Sequence, residues 1–133
     1  MNIYLAGGHK TPWRDSVRAR LPDARCIDPS ATGITDPAAY TAWDLAGVRA
    51  CDVVFAYFER TNPSGFGLVL EVGYAAGLGK HVVLVDEKSA SDPTSARYLQ
   101  IVRHTADVTF DDLTAGLDYL ELLAAIPVIG GAP

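Results

Sequence analysis

Residues 53–85 read VVFAYFERTNPSGFGLVLEVGYAAGLGKHVVLV, and this stretch decides the fold. Val53 to Phe58 and Val82 to Val85 are short runs of β-branched and aromatic residues, the pattern of strands buried on both faces. Between them, Gly67 to Leu78 is long enough for a helix, and Gly79 is a natural left-handed stop before Lys80. Strand, helix, strand in this order calls for a parallel pair with a crossover. Working outward, Ile3 to Ala6 is a third strong strand, and Arg25 to Ile27 and Val108 to Phe110 are weaker ones. Helices are expected over Trp13 to Leu21, Pro37 to Ala50, Ser95 to His104 and Leu113 to Ala125. Asp36-Pro37 supplies an N-cap followed by proline at the first helical position. The expected fold is a single α/β domain over residues 1–125, with a parallel sheet of about five strands in a flavodoxin-like order. Helices cover both faces, and an irregular tail follows from 126 to 133. Ligands of such Rossmann-like sandwiches bind at the carboxyl ends of the strands.

Composition excludes several classes. At 133 residues and 14.2 kDa the chain has room for one core. It is 49% hydrophobic and 20% charged, too apolar for disorder. The formal charge of −5 and pI near 5.0 argue against a nucleic-acid polymer as partner. No apolar run approaches the roughly 20 residues of a membrane span, and the start MNIYLAGG lacks the basic residues of a signal peptide. Cys26 and Cys51 have no CxxC spacing, and His9, His81 and His104 are scattered. The expectation is a cytoplasmic protein with reduced thiols, no metal and no cofactor.

Glu71 is the only charge between Gly65 and Gly79. As a helix, the segment gives it Gly67, Leu68, Tyr74, Ala75 and Leu78 as neighbours, none of them a charge partner. Val69, Gly73, Ala76 and Gly77 form a small-residue side expected to press onto the sheet. A helix apolar all round is buried, and a buried carboxylate is costly unless compensated. Glu71 is therefore either a functional carboxylate or one that reaches the surface through a gap. Gly65-Phe-Gly67 fails the dinucleotide pattern because residue 70 is Leu. Tyr74 and His81 likewise exclude a phosphate loop ending at Lys80. Asp44 sits in the helix from Pro37 and is either a solvated surface charge or a second functional carboxylate. Tyr4, in the first strand, needs a partner for its hydroxyl if buried, and a carboxylate near the strand ends could supply it. Asn62 and Ser64 lie in the loop after the strand ending at Phe58 and offer hydrogen bonds suited to a sugar, though turn chemistry also selects them. Trp13 and Trp43 are each candidates for stacking on a base or for the core.

Ile3-Tyr4-Leu5-Ala6-Gly7, Asp44 ahead of Cys51-Asp52-Val-Val-Phe55, Asn62-Pro-Ser-Gly65 and Leu70-Glu71-Val-Gly-Tyr-Ala75 with Gly79-Lys80 together resemble the nucleoside 2-deoxyribosyltransferase family, in its short "2-deoxyribosyltransferase-like" branch. The resemblance runs from Met1 to about Phe110. It implies retaining transfer of a (deoxy)nucleoside sugar to an acceptor nucleobase, with Glu71 as nucleophile, Tyr4 holding its carboxylate and Asp44 shuttling the proton of the base. Gly7, Trp13, Asn62, Ser64 and Gly65 are the expected substrate-binding positions. Deoxyribosyltransferases carry an Asp six residues before the nucleophile to hold the 5′-hydroxyl; here that position is Gly65. Nucleotide N-glycosidases of the wider family use a Ser in this region to accept a 5′-phosphate, and Ser64 stands beside it. A hydrolase acting on nucleosides or their monophosphates is thus the alternative reading, and a non-catalytic nucleotide-sensing domain is a third. A homo-oligomer is also expected, from the resemblance and because one small sandwich leaves its strand-end loops open to water; transferases of the family complete their sites with a neighbour's C-terminal carboxylate. The tail Gly-Gly-Ala-Pro133 does not carry that feature over.

Overall fold

The computed structural model describes residues 1–126. The expected tail, from residue 127 onward, lies outside the described residues. The chain runs through β1 (Asn2–Gly7), α1 (Trp13–Arg20), β2 (Arg25–Ile27), a 3-10 turn (Pro29–Ala31), α2 (Pro37–Ala50), β3 (Val53–Phe58) and α3 (Phe66–Gly77). β4 (His81–Asp86), α4 (Lys88–Ser91), α5 (Pro93–Tyr98), α6 (Gln100–Thr105), β5 (Val108–Phe110) and α7 (Leu113–Ala124) follow. The sheet is parallel throughout, in the order β2-β1-β3-β4-β5, as expected of the flavodoxin-like arrangement.

Strand alternation separates two cores. Tyr4, Ala6, Val54, Ala56, Val82 and Leu84 face α2, α3 and α6. Ile3, Leu5, Val53, Phe55, Val83 and Val85 face α1 and α7. β3 is buried along its whole length, which is why it reads as a continuous apolar run. β1 is the point at which the chain order reverses, with β2 on one side and β3 on the other. A crevice opens there at the carboxyl ends of the strands.

The helix expected over Ser95 to His104 is instead two short pieces, α5 and α6, broken at Leu99. Asp92 caps α5 by accepting from the Thr94 amide at 3.1 Å, and Pro93 follows it. α5 thus starts just ahead of the expected Ser95, at the proline that follows the cap. Asp36 caps α2 as expected, accepting from the Ala39 amide at 2.9 Å. The orientation of α3 is a second correction. Gly73 and Gly77 are exposed, and a Cβ at either would meet nothing within 4 Å; the buried side is Leu68, Glu71, Val72 and Ala75. Larger apolar side chains bury more area than the small-residue side would, so they take the sheet.

The glycine pressed onto the sheet is in α7. A Cβ on Gly116 would lie 2.3 Å from Cγ2 of Val85, a fully buried β-branched side chain with no freedom to move away. Gly116→Ala is expected to lower unfolding free energy by about 1–3 kcal/mol in urea titration, by forcing α7 off the sheet.

Candidate active site

Strand periodicity puts Tyr4 on the side of the sheet where α3 packs, and helix periodicity puts Glu71 on the inner side of α3. The two meet: the Tyr4 hydroxyl donates to Oε2 of Glu71. Tyr4 is fully buried and Glu71 is 8% exposed, so the carboxylate is not on a solvated surface. Burial pushes the Glu71 carboxyl up to about 7; the Tyr4 hydrogen bond pulls the other way, and Asp44 adds to the rise. Burial next to a carboxylate drives the Tyr4 phenol well above its ordinary range, so it remains a donor.

Glu71 lies in a cavity of about 430 Å³ that also touches Asp44, Asn62, Ser64, Gly65 and Gly7. Asp44 comes from α2, half-buried, and burial raises its carboxyl above the usual range while His9 lowers it. Asn62 is 8% exposed; its Oδ1 accepts from the Ser64 amide at 3.1 Å, and its carbonyl accepts from Lys88 Nζ at 2.5 Å. These bonds brace the loop from both ends. Gly65 opens α3 at φ +73°, and a Cβ there would fall 2.4 Å from the Phe58 ring. Gly7 has φ +150°, and its Cβ would lie 2.6 Å from the Tyr57 carbonyl oxygen. Both positions need glycine for conformation and for space.

Trp13 is the correction among the expected binding residues. It is 3% exposed and packs with Phe55 and Tyr57 in the α1–α7 core, at ring-centroid separations of 6.1 and 5.3 Å. Its indole N–H donates to the Gly8 carbonyl at 3.0 Å, so it supports the cavity wall from behind and offers no face to a base. Trp43 is half-buried against the other core. Two other aromatic side chains do line the cavity: Tyr40, 42% exposed and one turn before Asp44 on α2, and Phe66 at the start of α3. The i, i+4 spacing of Tyr40 from Asp44 was available as a signal. His9 also lines the cavity, directly after the β1 glycines. Pro29 and Ile34, on the irregular segment after β2, line it too, and that segment carries no periodicity from which to find them.

The arrangement is a floor of one buried, hydrogen-bonded carboxylate, with a second carboxylate on the wall and a neutral loop opposite. Residues 1–89, which hold Tyr4, Asp44, the 62–65 loop and Glu71, match the model of the "nucleoside 2-deoxyribosyltransferase like" family. The chain belongs to that family. No curated protein matches it in sequence. Among solved structures, the 2-desoxiribosyltransferase from Leishmania mexicana shares the fold with a TM-score of 0.70 at 23% identity, covering 91% of this chain and 97% of that one. The CMP N-glycosidase BcmB of Clostridium botulinum superimposes with a TM-score of 0.61 at 17% identity, covering 91% and 99%. Family and fold together support an activity of the nucleoside deoxyribosyltransferase or N-glycosidase kind. No helix among the described residues is long and apolar enough to cross a membrane.

The raised Glu71 carboxyl also affects stability. Between its ordinary value of 4.5 and about 7, the folded state holds a proton that the unfolded chain has released. Stability contributed at this site is thus present at low pH and lost as pH rises through that window. A shift of this size corresponds to about 3 kcal/mol. Glu71→Gln, which keeps the shape and cannot ionise, is expected to raise the melting temperature over wild type clearly at pH 8 and little at pH 5, measured by calorimetry.

Proposed function

We propose that the protein is a nucleoside 2-deoxyribosyltransferase that works through a covalent glycosyl–Glu71 intermediate. The observation that carries this reading is the Tyr4-held carboxylate at the floor of a cavity that also holds Asp44. An Oε atom of ionised Glu71 attacks C1′ of the bound nucleoside as the bond from C1′ to the base nitrogen breaks. The electron pair leaves with the base, which takes a proton from Asp44. Burial raises the Asp44 carboxyl, which suits it to carry that proton. A nitrogen of the acceptor base then attacks C1′ from the vacated side, expelling Glu71 and returning its proton to Asp44. Two inversions give net retention. Tyr4 fixes which Glu71 oxygen is free to attack.

The alternative is hydrolysis of a nucleoside or its 5′-monophosphate, with water as the second nucleophile. One observation favours it: the loop that would meet the 5′ end, Asn62 to Gly65, carries no carboxylate, and α3 begins there without a side-chain cap. Uncapped amides at a helix start suit an anion as readily as a hydroxyl.

Incubating a deoxynucleoside, or its 5′-monophosphate, with and without a second base separates the readings. Base exchange that requires the acceptor supports transfer, and free sugar released at the same rate without acceptor supports hydrolysis. Glu71→Gln is expected to abolish turnover, and wild type to form an adduct with a 2′-fluoro nucleoside visible by intact-mass spectrometry. Asp44→Asn is expected to slow poor leaving bases most. A Glu71→Gln enzyme with near-normal rate overturns the nucleophile assignment.

The reading extends to a homo-oligomer. Phe66 on the cavity rim is 82% exposed and Leu70 beside it 59%. Tyr98 shares a groove with Phe66 and is exposed, as is Ile101, and a second copy seated over these apolar side chains would shield the intermediate from water. Leu70→Glu is expected to give a smaller species by light scattering, with more hydrolysis relative to exchange.

A further inference from the structure

Arg14 is a buried cation that the transfer chemistry above does not use. It lies in the first turn of α1, 5% exposed, with its guanidinium 4.4 Å from the Trp13 ring centroid. Its contacts follow from the shortness of β2. The register of β2 with β1 ends at the pair Tyr4 and Ile27, so the Leu5 and Gly7 carbonyls lie past the end of that strand. Buried carbonyls need donors, and Arg14 supplies them. Nη2 donates to Leu5 at 3.1 Å and to Gly7 at 3.0 Å, and Nη1 donates to Gly8 at 2.8 Å. Asp28, the first residue after β2, lies 3.1 Å from Nε. Burial alone would push the Asp28 carboxyl up. Hydrogen bonds from Ser30 and Arg18, with the Arg14 charge, hold it below the usual range.

We propose that Arg14 is a positioning residue for the Glu71 carboxylate: its guanidinium takes the place of the missing length of β2, shapes the Gly7–Gly8 wall of the cavity that Glu71 also lines, and places a buried positive charge behind that wall. The inference rests on the reading of Glu71 as nucleophile. A nucleophilic carboxylate must be ionised to attack, and burial opposes ionisation. The charged and titratable groups that act on Glu71 are Tyr4 from β1, Asp44 from α2 and Arg14 from α1, with His9, after β1, acting on Asp44. Tyr4 and Arg14 favour the ionised form, and Asp44 opposes it. Asp28 in turn offsets part of the Arg14 field.

This arrangement makes two changes act in opposite directions. Removing the Arg14 charge raises the pH at which Glu71 ionises; removing the Asp28 charge exposes Arg14 more fully and lowers it. The carboxyl resonance of Glu71 in protein labelled with ¹³C-glutamate, assigned by its loss in Glu71→Gln, reads this without turnover. Arg14→Met is expected to move its midpoint up. Asp28→Asn is expected to move it down, and Arg14→Lys to leave it near wild type. The acid limb of kcat/KM is expected to follow the same order, and Arg14→Lys to be slower at every pH because one ammonium cannot hold three carbonyls. A residue with only a structural role would lower the rate at all pH values and leave the midpoint in place. Midpoints that stay fixed, or that move the same way in Arg14→Met and Asp28→Asn, overturn the proposal. If Arg14→Met does not fold, the downward shift in Asp28→Asn decides. An active Glu71→Gln enzyme would remove the nucleophile reading while the Glu71 midpoint still reports on Arg14.

Discussion

The contact between the Tyr4 hydroxyl and the Glu71 carboxylate is the constraint around which the rest is arranged. A carboxylate on the inner side of an apolar helix is unfavourable, so the fold must bring it a donor that stays protonated and admits no bulk water. A phenol in the first strand does both. For the hydroxyl to reach, α3 must lie over β1, which requires β1 beside β3 and the α3 crossover on the Tyr4 side of the sheet. α2 must also pass close to the Tyr4 ring. A Cβ on Gly47 would be 2.9 Å from Cε2 of that ring, so the helix carrying Asp44 comes near only because Gly47 has no side chain. Strand order, helix placement and the position of the second carboxylate, set by the two apolar cores, must all be compatible with burying this one acid.

Much of this was legible in the sequence because it is periodic. β3 is Val53–Phe58 in both readings, and β2, β5 and α2 keep their expected bounds, because β-branched runs and a proline after an Asp cap are local signals that packing reinforces. The split of the helix expected from Ser95 was harder to see. Apolar positions recur through that stretch at helical spacing, and no Gly, Pro or Asp marks the break at Leu99. The small-residue side of α3 is a misleading signal for a definite reason: small residues can pack closely, but close packing of little surface loses to burial of Leu68, Val72 and Ala75.

The site was legible where it rests on charge out of place and hidden where it rests on shape. Glu71 stands out in an apolar helix, and the glycines at 7 and 65 fall where the backbone turns into the cavity. Trp13 is different. An indole next to a ligand loop has the same local sequence whether it faces the cavity or the core, and only the side of the sheet taken by α1 decides. Arg14 gives no sequence signal either. Its partners are main-chain carbonyls of β1, and carbonyls look the same at every residue.

The two cores, described above as a product of strand alternation, have a consequence for redesign. The inner side of α7, with Leu117, Leu120 and Leu123, rests on Val83, Val85 and their neighbours, and the full thickness of the sheet lies between it and Glu71. Side chains there can be exchanged for tighter-packing ones without altering the field or the space at the carboxylate. The molecule thus separates two tasks that usually compete: the α7 side of the core can be tuned for endurance while the buried carboxylate on the opposite face keeps its surroundings.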